Sequence, residues 1–424
     1  LVVSFDDTPA QLRRAADGSL LSVLSGEAAR IYSAKKDSDF PYFILGYSEA
    51  PAELRRTSDG SLIATLSGKA LGFSVEPNMW SDGEYFTLAY TDAPSEIRRT
   101  ADGALVATLS GRASPYSVHI SPDAALAVVD YRDDTPSELL RIDDGSRIGL
   151  GNRTEIGDVR FSPSGEYFLV DFSGRTARAS VERPAEILRA ADASLVSTLP
   201  PGIKPHQVQF SPDSTYFTIR GRNTLHRTDT GEALALPGPF SRVHFSDAPQ
   251  ATYFLVAYAD APGELRSLAD GTRIVTLPGT LTNVFRSPDP ASNHLLVAYS
   301  DAPGERRRAI DGAHIETLPG KLVRAHYGPD PGAAAVVLAF ADSPGELRRM
   351  DDGTRIEILP GKVTHLRHIR SGAGALFVVG YADAPGELRH GSDGTLAQPL
   401  PGTVEKIVTG RQSGPFFVIE YTDG

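Results

Sequence analysis

Carboxylate pairs four residues apart recur along the chain: Asp92/Glu96, Asp260/Glu264, Asp301/Glu305, Asp342/Glu346 and Asp383/Glu387. Two acids at fixed spacing bring calcium ligation or general acid–base work to mind. Acid–base work needs two carboxylates in unlike environments within one pocket, and identical copies in every repeat provide the opposite. The expectation is structural: Asp caps a turn while Glu pairs with an Arg across a sheet, each pair worth about 0.2–1 kcal/mol. His119, His244, His326 and His368 fall at one position of a recurring strand. A metal would need them within about 2.0–2.1 Å of one ion, which side chains on separate repeats do not offer, so they read as filling gaps between repeats. His365 and His368, three apart on a strand, point to opposite faces and share no ion. Gly68-Lys69, Gly320-Lys321 and Gly361-Lys362 end like a phosphate loop but lack its Ser/Thr, its glycine spacing and any helix. Neither H-E-x-x-H nor G-x-S-x-G occurs. No catalytic residue, metal ligand or cofactor is expected.

The elements that carry these residues repeat. The segment Thr91–Gly111, TDAPSEIRRTADGALVATLSG, has ten copies with one skeleton. Its central turn glycine falls at 18, 60, 103, 145, 231, 271, 312, 353 and 394, with Ala193 standing in once, mostly 40 to 43 residues apart. That period marks a repeat architecture. Within one unit, Phe254, Val256 and Tyr258 alternate as on a strand. Asp260-Ala-Pro-Gly then reads as a type II bend, Glu264–Arg266 as a strand, Asp270-Gly271 as a tight hairpin turn, and Thr272–Leu277 as another strand. Each unit thus predicts four short antiparallel strands, a to d in chain order, with no helix. One such sheet is too thin to be stable alone and must be stacked on its neighbours.

Bulk properties agree with a stacked, water-exposed chain. Apolar residues make up 41% and charged residues 22%, close to globular averages, and no apolar run is long enough to predict a membrane span. A net charge of −11 argues against nucleic acid or anionic lipid as partner. The twin arginines Arg55-Arg56, Arg98-Arg99 and Arg348-Arg349 stand near acids and read as a solvated, mixed-charge surface. With no cysteine, disulfides and thiolate sites are excluded. Trp80, the only tryptophan, reads as core. The absent initiator Met and cysteines lean localisation toward the cell surface or exterior, with a cytoplasmic assembly platform left open.

Phe161-Ser-Pro-Ser-Gly-Glu-Tyr-Phe-Leu-Val and Phe210-Ser-Pro-Asp-Ser-Thr-Tyr-Phe-Thr-Ile resemble the a–b hairpin of WD-repeat propellers, and Gly103-Ala-Leu-Val-Ala-Thr-Leu-Ser-Gly resembles their strand d. The family's Gly-His and Trp-Asp signatures are missing, so the resemblance is to a divergent, WD-like branch. It implies an all-β propeller of radially stacked four-stranded blades, with strand a innermost and the four histidines beside a wide channel. The whole of 1–424 reads as one domain of ten blades. Alternatives are two five-bladed propellers or part of a longer array, with any break expected in the irregular stretch 134–236. Strand b occurs once too often, at Leu1–Phe5 and Phe416–Tyr421, which hints at strand exchange with another copy.

The d–a turns vary most, so partner choice on a fixed scaffold would sit there. Candidate contact residues are Tyr32, Lys69, Phe73, Arg112, Tyr116, Phe240, Lys321 and Lys362. The expected function is a non-enzymatic scaffold for protein–protein interaction or self-assembly. A lectin-like propeller is the alternative. It would need exposed repeated aromatics, whereas Tyr47, Tyr90, Tyr258, Tyr299 and Tyr381 fall on the regular face of strand b.

Overall fold

The computed structural model describes residues 2–3, 11–14, 17–24, 28–33, 41–47, 50–74, 84–90, 92–131, 133–151, 156–172, 183–220, 222, 224–246, 251–288, 292–327, 334–371, 374–409 and 417–422. Side chains at 2–3, 28–30, 32–33, 70–74, 115–116, 370–371, 374–375 and 409 are outside that description. Trp80 and Phe416 also lie outside the described residues.

One sheet shows how the repeat folds. Phe240–Phe245, Tyr253–Tyr258, Glu264–Ser267 and Arg273–Thr276 form an antiparallel meander, strands a, b, c and d. All six residues of strand b are buried, so both of its faces are covered. Tyr253, Leu255 and Ala257 pack with Leu295, Val297 and Tyr299 of the following sheet. Each such side chain contributes roughly 1.5–3 kcal/mol of burial. Strand d, by contrast, is exposed at all four residues. Stability therefore comes from stacking through strand b, and strand d is the outer edge.

Among the described residues eight sheets have this four-stranded order, two have three strands and one has two. The chain is all-β with repeated four-stranded blades. It divides into two compact units, Leu1–Ala233 and Leu234–Gly424, and the division falls inside the irregular stretch 134–236. The first unit opens on the three strands Val2–Val3, Gln11–Arg13 and Leu20–Val23. The second closes on the pair Val404–Thr409 and Phe417–Tyr421.

Three local expectations need correction. The Asp260-Ala-Pro-Gly bend is not type II, because Gly263 does not take positive φ. Among the described residues a single 3-10 turn, Pro205–Gln207, interrupts the all-strand pattern. Pro205 presets φ for it, and the Gln207 side chain accepts from Lys204 N at 2.8 Å. The c–d hairpin loop has four residues, not two. Arg56 N donates to Ser61 O and Gly60 N to Arg56 O, both at 2.9 Å, enclosing Thr57–Gly60. Asp59 accepts from Ser61 N at 2.9 Å, and Gly60 takes φ +75°, a conformation that costs L-residues with a Cβ about 1–2 kcal/mol. Ala193 adopts it nonetheless, at +57°.

Candidate functional site

The most regular polar feature is a buried chain of hydrogen bonds built by strands b, c and the c–d turn. Tyr47 Oη donates to Glu53 Oε2 at 2.8 Å, Arg55 Nε donates to the same oxygen at 2.8 Å, and Arg55 Nη1 donates to Gly60 O at 2.8 Å. Tyr258–Glu264–Arg266–Gly271, Tyr299–Glu305–Arg307–Gly312 and Tyr381–Glu387–Arg389–Gly394 repeat it within 2.6–3.0 Å. Strand alternation explains it: Glu and Arg two apart on strand c project to one face, and the positive-φ glycine turns its carbonyl toward the guanidinium. Variants keep the logic. Gln11 replaces the acid beside Arg13, and His226 replaces the arginine, its Nδ1 3.0 Å from Gly231 O. In the fourth sheet, strand c has Leu140 where the arginine would stand, and Arg147 reaches Glu138 from strand d.

The twin arginines are therefore not one solvated surface. Arg55, Arg98 and Arg348 are buried, while Arg99 and Arg349 are exposed. The Glu bonds the Arg two residues along its own strand in most sheets, and it also pairs with an Arg across the sheet on strand d, as Arg273 reaches Glu264 at 3.4 Å and Arg355 reaches Glu346 at 3.2 Å. Arg348 and Arg389 also reach the preceding sheet, each gripping a strand-d carboxylate with both terminal nitrogens: Glu316 at 2.9 and 3.0 Å, Glu357 at 2.8 and 3.2 Å. Burial tends to raise the Glu264 carboxyl, but bonds from Tyr258 and Arg266 outweigh it and hold it below the usual range. Tyr47, Tyr90, Tyr258, Tyr299 and Tyr381 are all buried, so these tyrosines offer a glycan no stacking face.

The aspartates of the carboxylate pairs do cap turns. Asp92 accepts from Lys69 N at 2.8 Å, Asp301 from Thr280 N at 2.7 Å, Asp342 from Lys321 N at 2.7 Å and Asp383 from Lys362 N at 2.9 Å. Asp133 does the same for Arg112 at 2.9 Å. Asp260 has no such donor, since Pro239 occupies the position and lacks an N–H. Where the cap is made, the glycine before it has no room for a side chain: a Cβ on Gly68 would lie 2.7 Å from Asp92 Oδ1, whereas one on Gly238, before Pro239, would meet nothing within 4 Å.

Of the candidate contact residues, Lys69, Arg112, Lys321 and Lys362 thus share one place, directly after the d–a turn. Arg112 and Lys362 are exposed and Lys69 and Lys321 half-buried. Phe240 is a correction: it is 3% exposed, occupying the packing position of Leu281 and Leu322, and contributes to the core. The side chains of Tyr32, Phe73 and Tyr116 lie outside the described residues.

The histidines also need a correction of register. His119, His244 and His326 stand opposite Val128, Leu255 and Val337, but His368 stands opposite Phe377, one step further along strand a. Arg367 holds the place matching His244 and His326. His368 consequently points the other way, and its ring meets His326 of the neighbouring sheet with centroids 6.3 Å apart. Burial, then Arg242 and Arg286, lower His244 to about 4. Burial, then Arg324, His368 and Arg367, lower His326 to about 4. No cluster of three or more metal-ligating side chains occurs among the described residues.

No family model and no curated protein matches the chain. Several solved structures are similar to it at low identity. A crystal structure of a eukaryotic initiation factor is 14% identical over 79% of this chain and 88% of that one, with a TM-score of 0.34. The computationally designed Ika8 protein is 12% identical over 95% and 96%, with a TM-score of 0.28. Dihydro-heme d1 dehydrogenase NirN is 17% identical over 76% and 73%, with a TM-score of 0.32.

Proposed function

We propose that the chain is a non-catalytic β-propeller, with ten blades in one ring, serving as a scaffold for protein–protein interaction or self-assembly. One observation carries this reading. The recurring polar residues that could do chemistry are committed to each blade's own construction: Glu and Arg to the buried chain, Asp to the turn cap. What remains for recognition is the set of turns after strand d, where Arg112 and Lys362 project. The flank of strand Phe417–Tyr421, which among the described residues pairs only with Val404–Thr409, offers a second route, by strand addition. Electron-microscope images and sedimentation of the purified chain test the proposal together. Discrete wide rings, or rings that associate with rising concentration, are the expected result. Two small rings would overturn the blade count, and multivalent glycan binding on an array would overturn the scaffold reading in favour of a lectin.

A further inference from the structure

Between the first sheet and the second, whose strands are Ala28–Ser33, Tyr42–Tyr47, Glu53–Arg56 and Leu62–Thr65, lies a cavity of about 300 Å³. Leu12, Leu21, Ile31 and Phe43 supply its apolar walls, and the exposed Arg14 and Thr57 also line it. One sheet further along, the same place is full. Tyr42, on strand b of the second sheet, is 1% exposed. It packs with Leu54, Ile63 and Phe86, its ring centroid 5.9 Å from that of Phe86. Leu12, Leu21 and Phe43 hold the positions of Leu54, Ile63 and Phe86 in the strand register. A Cβ on Gly60 would lie 2.9 Å from Leu12 Cδ2, and one on Gly103 2.9 Å from Leu54 Cδ2, so the two places are built alike.

What differs is the ring. Tyr42 stands opposite Arg56, but no described residue stands opposite Arg14, since strand b of the first sheet pairs at Val2↔Leu12 and Val3↔Gln11 among the described residues. Phe43 shows the consequence. It is only half-buried, whereas Phe86, Phe168, Phe217, Phe254 and Phe377, at the same place in sister sheets, are each 0% exposed. The walls for a ring are present and one face of Phe43 is left without its cover.

We infer that this cavity binds a small single-ring aromatic carboxylate, its ring lying where Tyr42 lies in the next interface and its acid on the Arg14 guanidinium. Ligand pockets begin at roughly 300 Å³, which suits one ring and is too short for a long alkyl chain. Aromatic pairs gain from offset or edge-to-face contact beyond the area they bury, and Phe43 offers that contact. Arg14 suits the acid. Arg99, Arg308 and Arg349, at its place in other sheets, pair with turn aspartates. Arg14 forms no ion pair among the described residues, while Asp17 of its own turn accepts from Ser19 N at 3.0 Å and Ser19 Oγ at 2.7 Å. A guanidinium fork takes a carboxylate through two parallel bonds.

The test is ligand-observed NMR and calorimetric titration of the full chain with 4-hydroxyphenylacetate. Saturable binding is expected. Leu21→Phe, which fills the cavity, should abolish it, while Leu105→Phe on the third sheet leaves it unchanged. Arg14→Gln should weaken the acid about tenfold yet leave binding of 4-methylphenol, the ring without the acid, as it was. Because Arg14 is exposed, that variant should melt with the wild type. No saturable binding, or binding undiminished by Leu21→Phe, would overturn the site. Cyclohexylacetate binding as tightly would overturn the aromatic assignment, and an Arg14→Gln variant that weakens neither ligand, or both equally, would overturn the acid contact. An end-blocked pentapeptide with a central tyrosine binding more tightly than the free acid would overturn the small-molecule assignment in favour of a partner's chain. None of these outcomes touches the blade count or the scaffold reading.

Discussion

Arg348 illustrates what single residues do here. It is 1% exposed and satisfies Glu346, Glu316 and the Gly353 carbonyl at once. Arg348→Ala would leave the buried Glu346 with only the exposed Arg355, 3.2 Å away, and urea unfolding should show a loss of about 3 kcal/mol. Phe340 occupies the place that Tyr258, Tyr299 and Tyr381 hold in sister sheets, so Phe340→Tyr should donate a hydroxyl to Glu346 and add about 1 kcal/mol. The histidines predict acid sensitivity. An ordinary imidazole titrates near 6.5, whereas His244 and His326 are held down to about 4. The unfolded chain therefore takes up protons first. Stability is full above about pH 6.5 and falls as pH drops toward 4, by on the order of 2 kcal/mol per histidine. Comparing urea midpoints at about pH 7 and pH 4.5 checks this, and His326→Gln should flatten the difference.

At the scale of elements, much was readable from sequence alone. Alternation in Phe254, Val256 and Tyr258 and the turn glycines placed strands b, c and d, because a period of two and a positive φ each leave a residue-type signature. The Glu–Arg pairing was expected, but not its burial or the partner two along the same strand, because charged residues near other charges look alike whether solvated or buried. The informative signal was their spacing of two on a strand, with Leu or Ile between them in all but one such copy. His368 was misplaced by one, although counting from the turn glycine puts it seven residues after Gly361 and His326 only six after Gly320. The turns make a prediction of their own. Ala193→Gly relieves a left-handed alanine, and its unfolding free energy should rise by about 0.5–1 kcal/mol. Gly68→Ala should do the reverse, by forcing Asp92 off its cap.

For the whole molecule, stability is laid down in layers. Strand b is buried on both faces, as in Ala335–Phe340, and strand d is exposed, as in Arg355–Ile358. Hydrogen–deuterium exchange should follow that order in both units, slowest in strands b and fastest in strands d. Equal protection across a sheet would contradict the layering. Sequence could not supply the division at Ala233/Leu234 to the residue, because the irregular stretch that holds it still repeats the same strands.

The fourth sheet, where Arg147 serves Glu138 in place of a strand-c arginine, limits how these units can be recombined. Installing arginine at Leu140 would put a second guanidinium on Glu138, as Arg266 and Arg273 share Glu264, whereas removing Arg147 leaves that acid with only the hydroxyls of Tyr131 and Ser110. The joint exchange keeps an ion pair on the acid but gives up the bonds Arg147 makes to Thr108 O and Ser110 Oγ at the end of the preceding sheet. A chimera cut at the d–a turns keeps each blade's own chain of bonds whole, but it should fold best where partners on successive sheets, such as Arg348 with Glu316 and Arg389 with Glu357, travel together.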